Sequence, residues 1–196
     1  MKLMQSGKPR TLSWDEHAPI LIFSDACYER DAKDLVCGLG GTLLDPSTGL
    51  KLFFSCALDS PQRAILGEMS KQQIIFEAET FCAVLSYLMW IKKLTSRNST
   101  LYVDSEGTKF CMMKGFSENA TVDSLRAIFC ELEVAAETSC WLARVPSHSN
   151  IADMPSRGIV HELLDAGYID DSKLAAATIQ QLFTFLKLKV RQKAEC

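Results

Sequence analysis

Hydrophobic residues in this chain recur with two different periods, and the switches between the periods mark its elements. Ile20-Leu21-Ile22-Phe23 is a short apolar run ending at Ser24-Asp25, the pattern of a buried strand that delivers a carboxylate at its C-terminal edge. Cys37 to Leu44 and Leu50 to Leu58 read as two further strands, and Asp45-Pro46-Ser47-Thr48-Gly49 between them is rich in turn formers. An antiparallel hairpin is expected, its second arm carrying Leu50, Leu52, Phe54, Cys56 and Leu58 on one face. From about Ile75 to Leu94 the step lengthens: Ala78, Phe81, Cys82, Leu85, Leu88, Met89 and Lys92 share a helical stripe. After a polar break at Ser96 to Thr100, Leu101-Tyr102-Val103 predicts a strand ending on Asp104. Helices are predicted over Glu106 to Met113 and Val122 to Ala136, then a strand over Trp141 to Val145 and a loop from Pro146 to Asn150.

This order of elements predicts an α/β fold built on a five-stranded mixed sheet, with an antiparallel meander first and then parallel strands joined through helices. Residues 1–18 show no sustained period and read as an arm or linker, and residues 19–158 form the main domain. Residues 159–196 form a helical appendage, with helices at His161 to Leu164 and Asp171 to Val190. In the last of these, Ala175, Ile179, Leu182, Phe183, Leu186 and Val190 share a stripe, and Asp171 or Ser172 suits the N-cap.

Composition adds limits. The chain has 196 residues, 47% of them hydrophobic and 23% charged, enough for one substantial core. Its net charge of −3 argues against tight nonspecific binding to nucleic acid by the whole surface. The eight cysteines show no C-x-x-C pair and mostly lie in apolar segments, as small core residues do. No apolar run reaches membrane-spanning length, and MKLMQSGKPRTLSW lacks the apolar stretch of a secretory signal. An intracellular, reducing compartment, cytoplasm or nucleus, is expected.

Four segments carry acids in suggestive settings: FSDA with Asp25, IIFEAET with Glu77 and Glu79, LYVDSEG with Asp104, and VPSHSNIADMPSRG with Asp153. In order and context they resemble the ribonuclease H family, especially the domain that accompanies reverse transcriptases in retroelements, over roughly residues 19–158. The resemblance implies a ribonuclease H-like fold and an endonuclease that hydrolyses the RNA strand of RNA–DNA hybrids, leaving a 3′-hydroxyl and a 5′-phosphate. It implies a metal site of Asp25, Glu79, Asp104 and Asp153 holding two Mg2+ ions, or Mn2+ in their place, and a proton-shuttling role for His148. A reverse transcriptase elsewhere in a parent retroelement is the implied partner. Hydrolysis of a phosphodiester needs a nucleophilic water and stabilisation of charge on both sides of phosphorus, which two cations about 4 Å apart can supply. Hard Mg2+ prefers oxygen ligands and keeps several waters, so sparse carboxylates suit it.

Glu77 and Glu79 lie about 200° apart on a helix and cannot both face one site. Amphipathicity does not choose between them. The family register, an acid with a small residue three positions later, favours Glu79 with Cys82. Asp153 could instead cap the helix ahead of Pro155, and His148 could be an ordinary surface residue. Ser105 after Asp104 reads as a helix cap.

Other chemistries fit less well. Asp25-Ala26-Cys27 lacks the second acid of an exonuclease, and no glutamate closes the site as in an integrase. No G-x-S-x-G marks a serine nucleophile, and Gly38, Gly40 and Gly41 do not form a phosphate cradle. No basic, tryptophan-bearing segment lies between Phe116 and Glu137 to grip a hybrid, so weak affinity in isolation is expected. The basic end, Lys187, Lys189, Arg191 and Lys193, reads as a solvated helix face. A catalytically inactive binding or assembly module on the same fold is the alternative.

Overall fold

The computed structural model describes residues 17–30, 35–67 and 74–194. The predicted arm lies outside the described residues except at its last two positions. The chain opens with three antiparallel strands, β1 (Ile20–Arg30), β2 (Leu35–Asp45) and β3 (Leu50–Leu58). The β2–β3 hairpin closes with Asp45 opposite Leu50, and its turn is held by the Asp45 carboxylate, which accepts from Ser47 N and Thr48 Oγ1 at 3.0 Å each. Gly49 supplies the positive φ, 73°, that ends the turn.

Helix α1 (Ser60–Gly67) follows, then α2 (Ile75–Met89) and α3 (Ile91–Leu94). Strand β4 (Asn98–Val103) leads to α4 (Glu106–Lys114) and α5 (Ala120–Ala135), and β5 (Ser139–Arg144) to a 3-10 turn at Ser147–Ser149. The chain ends in α6 (Asp153–Ser156), α7 (His161–Asp165), β6 (Ile169–Asp170) and α8 (Ser172–Ala194).

The sheet order is β5-β4-β1-β2-β3-β6, with β4 and β5 parallel to β1 and the first three strands antiparallel. The mixed architecture is as expected, but the sheet has six strands rather than five. The sixth is two residues long and shows no period of its own; it exists because Ile169 and Asp170 pair with Leu52 and Phe53, extended by Asp171 N donating to Phe53 O at 2.8 Å.

Three other expectations change. β1 does not stop at Asp25 but pairs with β2 as far as Arg30, so the acid lies within a strand, two residues past its last pair with β4. The long helix breaks at Trp90, whose buried indole Nε1 donates to Asp171 Oδ2 at 3.0 Å. Asp171, which the sequence offered as a cap, directly precedes α8, so the bond joins the break to the start of that helix. Helix α1 was not expected, although Asp59 and Gln62 form a reciprocal capping box: Gln62 N donates to Asp59 Oδ1 at 2.8 Å and Asp59 N to Gln62 Oε1 at 3.0 Å.

One sheet face is covered by α2, α5 and α8. Phe81, Leu85, Leu125, Phe129, Ile179, Leu182 and Leu186 are all buried in the shared core, with Phe81 and Phe183 rings 4.7 Å apart. The C-terminal helix is therefore a wall of the main core. The opposite face carries α6 across β1, β2 and β3. Its approach is backbone to backbone: a Cβ on Gly38 would lie 2.0 Å from Ser156 O, and one on Gly40 2.2 Å from Ser156 N.

Gly40→Ala is expected to push α6 off the sheet and cost roughly 1–3 kcal/mol or more. Leu182→Ala should cost about 2–5 kcal/mol, as a core cavity does. Urea denaturation of both variants checks this, and a Leu182→Ala protein as stable as wild type would mean α8 is not part of the cooperative core.

Candidate active site

The four acids come from four elements. β1 and β4 are parallel and their pairing ends with Phe23 beside Tyr102, so Asp25 and Asp104 each stand two residues past that last pair, close enough for the charge of Asp104 to act on Asp25. Asp25 is buried at 6% exposure. Its carboxyl is pushed up to about 6, chiefly by burial and further by the charges of Asp104 and Asp153, while a hydrogen bond from Ser156 and the charge of Arg157 pull the other way. Glu79, half-buried in the second turn of α2, is pushed up to about 7, again chiefly by burial and then by Asp104 and Asp25. Hydrogen bonds with Ser105 and Thr108 partly offset this, Thr108 Oγ1 donating at 3.4 Å. Asp25 is thus the hub: Glu79, Asp104 and Asp153 all act on it or feel it.

The structure separates the two glutamates. Glu77 is buried at 2% exposure and accepts from Asn119 Nδ2 at 2.7 Å, while Asn119 Oδ1 caps α5 by accepting from Val122 N at 3.0 Å. Glu77 therefore ties α2 to the start of α5, and Glu79 is the one that faces the other acids.

Asp153 is the first residue of α6, with Ala152 at the cap position. Its Oδ1 accepts from Arg157 Nε at 3.0 Å, and Arg157 also pairs with Glu29. The segment ahead is moored by Asn150, which donates from Nδ2 to Ser24 O at 3.1 Å and accepts Ala152 N at 3.2 Å. His148 lies exposed in the 3-10 turn of the same segment.

Two residues around the acids, Ser156 and Arg157, were not singled out from sequence, whereas Ser105 caps the next helix as expected. Ser156 Oγ donates to Asp25 Oδ2 at 2.5 Å, and Ser105 both caps α4, accepting Thr108 N at 3.3 Å, and bonds Glu79. Ser156 and Arg157 stand three and four residues after Asp153, the spacing that shares a helix face, which was a usable signal. Lys189 pairs with Glu131 at 2.5 Å, which places that part of the basic end on α5.

The donor set suits a hard, hydrated cation: carboxylate oxygens only, with two of the carboxyl groups holding protons unusually tightly, chiefly because they are buried. It is not a closed cage. Among the described residues no group of three or more His, Cys, Asp and Glu side chains is arranged to hold a metal ion as the side chains stand. Carboxylates that bind a cation still carrying its waters need not converge as closely as cage ligands do. Cys27, Cys37 and Cys82 are buried thiols.

Comparisons with known proteins agree with the architecture. The chain aligns with RNase H1 from the halophilic archaeon Halobacterium salinarum NRC-1 at a TM-score of 0.50 and 12% identity, over 74% of this chain and 99% of that one. LC11-RNase H1, isolated from compost by a metagenomic approach, aligns at 0.54 and 17%, covering 74% and 98%. The N-terminal RNase H domain of a Mycobacterium tuberculosis protein, solved as a fusion with maltose-binding protein, aligns at 0.52 and 12%, covering 76% and 99%. No family model and no curated protein matches the sequence. The chain has the ribonuclease H fold. No described helix is long and apolar enough to cross a membrane.

The raised carboxyls set a pH dependence in the metal-free protein. A raised folded pKa stabilises below the ordinary carboxylate range and that contribution is lost as pH climbs through the folded value. Asp25, facing Asp104, Asp153 and Arg157, and Glu79, facing Asp104 and Asp25, should therefore make the protein less stable from about pH 4 to about pH 7. Melting temperatures across this range check it, and Asp25→Asn with Glu79→Gln should flatten the slope.

Proposed function

We propose that this protein is a divalent-metal-dependent endonuclease of the ribonuclease H type that hydrolyses the RNA strand of RNA–DNA hybrids. The observation that carries the reading is the charge coupling of Asp25, midway along β1, with Glu79, Asp104 and Asp153 from three other segments of this fold. Without a cation the cluster carries a cost: Asp25 and Glu79 are withdrawn from water beside other carboxylates, and the charge of Arg157 relieves it only in part.

In this reading Asp25, Glu79, Asp104 and Asp153 hold two Mg2+ ions, which Mn2+ can replace. Bound there, the ions supply charge stabilisation to the attacking water and the leaving oxygen. Water adds to phosphorus, the bond from phosphorus to the 3′-oxygen breaks, and the products are a 3′-hydroxyl and a 5′-phosphate. His148, on its exposed turn beside the segment that bears Asp153, takes or gives the proton that crosses from water to the leaving side. Ser105 and Thr108 orient Glu79, and Ser24 O holds the loop through Asn150.

The net charge of −3 and the lack of a basic grip fit an enzyme that borrows affinity from a partner, and a reverse transcriptase of a parent retroelement is the partner the sequence resemblance suggests. The inactive module remains a second reading because Arg157 already neutralises one of the acids, Asp153, in the absence of metal.

Cleavage of an end-labelled hybrid in Mg2+ tests the proposal. Asp25→Asn and Asp104→Asn should each reduce it by about two orders of magnitude or more, since even outer partners of metal ligands cost 10–100-fold. Chelation should stop it and Mn2+ restore it. Equal cleavage by wild type and both variants would sink the reading.

A further inference from the structure

Ser156 makes a contact that ties two distant acids together. Its hydroxyl lies 2.5 Å from Asp25 Oδ2, 131 residues away in sequence, and 2.8 Å from the backbone carbonyl of Asp153, three residues before it, so one proton has two acceptors. The side chain is buried at 3% exposure, in a position fixed from behind. There the Ser156 carbonyl accepts from Cys27 Sγ at 3.0 Å, and the neighbouring Pro155 carbonyl accepts from Ser55 Oγ at 2.6 Å. Gly38 and Gly40 leave room for this backbone to lie against β2.

We propose that Ser156 is a positioning residue for the metal-binding carboxylates, an inference that rests on the nuclease reading above. By holding Asp25 Oδ2 it fixes the rotation of that carboxylate about its last bond and presents the remaining lone pairs in one direction. By sharing the same proton with the Asp153 carbonyl it sets the start of α6 at a fixed separation from β1. Both acids then meet a cation already oriented, and the entropy of ordering them is spent in folding rather than in binding. Ser156 touches neither metal nor substrate; it acts through Asp25.

Ser55 provides the matched control, because its bond anchors the same turn of backbone without reaching either acid. Mn2+ binding to the full chain, followed by electron paramagnetic resonance of the free ion, is measured for wild type, Ser156→Ala, Ser156→Cys, Ser55→Ala and Asp25→Asn, with thermal melts in the same buffers. Ser156→Cys keeps the side chain in place but replaces the hydroxyl with a weak donor, so it reports on the bond even if the alanine variant folds poorly. Both Ser156 variants should bind Mn2+ about 10-fold more weakly, and Ser55→Ala should stay within about twofold of wild type. Binding by the Ser156 variants equal to wild type, or an equal loss in Ser55→Ala, overturns the proposal while leaving the nuclease reading intact. If Asp25→Asn binds Mn2+ as wild type does, the nuclease reading itself fails, and this role for Ser156 fails with it.

Discussion

The site depends on a backbone lying directly against a sheet. Residues 150–157 cross β1, β2 and β3 at a separation that no side chain on Gly38 or Gly40 would allow. The segment is held there by polar bonds rather than by a long apolar stripe: Asn150 to Ser24, Cys27 to Ser156, Ser55 to Pro155, Ser156 to Asp25. Buried polar groups must be paired, and here each pairing also fixes where an acid stands. A helix as short as α6 has little stability of its own, so its position comes from these partners together with the burial of Ala152 and Pro155.

Charge tells the same story from the other side. Carboxylates withdrawn from water and placed near one another hold their protons more tightly, and both Asp25 and Glu79 do so. The molecule treats the neighbouring buried acid on α2 differently. Glu77 receives a hydrogen bond from Asn119 at 2.7 Å and serves to join two helices. Within one turn of α2, then, one glutamate is satisfied by the protein and the other is left facing like charge. Ser105 and Thr108 hold Glu79 by hydrogen bonds but bring it no positive charge, and a cation is the simplest species that would relieve the repulsion.

After α6 the chain turns back to the helical face. Gly158 and Gly167, both at positive φ, flank the short α7, and β6 adds to the sheet edge before α8 begins. Trp90 and Asp171 join the break after α2 to the entry of α8, and Ala175, Ile179, Leu182 and Leu186 fill the space that α2 and α5 leave. The aligned RNase H1 structures account for about three quarters of this chain. The core is thus closed by a helix whose first residue, Ser172, accepts Ser55 N through its hydroxyl at 3.0 Å and whose Phe183 packs against Phe81.

Much of the fold was legible in the sequence because it is written in local periods: the hairpin around Asp45 to Gly49, the stripe on α2, the apolar runs that end near Asp25 and Asp104. The capping box at Asp59 and Gln62 was equally local and was simply overlooked. What sequence could not decide had a common cause. Whether Glu77 or Glu79 turns toward the other acids depends on Asn119, more than 40 residues away, and Asp25 lies within a strand because β2 continues beside it. The sixth strand exists only through its neighbour, and the glycines at 38 and 40 gain their meaning from Ser156. A chain's periods report what each element will bury; which polar atoms then meet is set by packing between elements, and that is settled only when the three-dimensional contacts are in place.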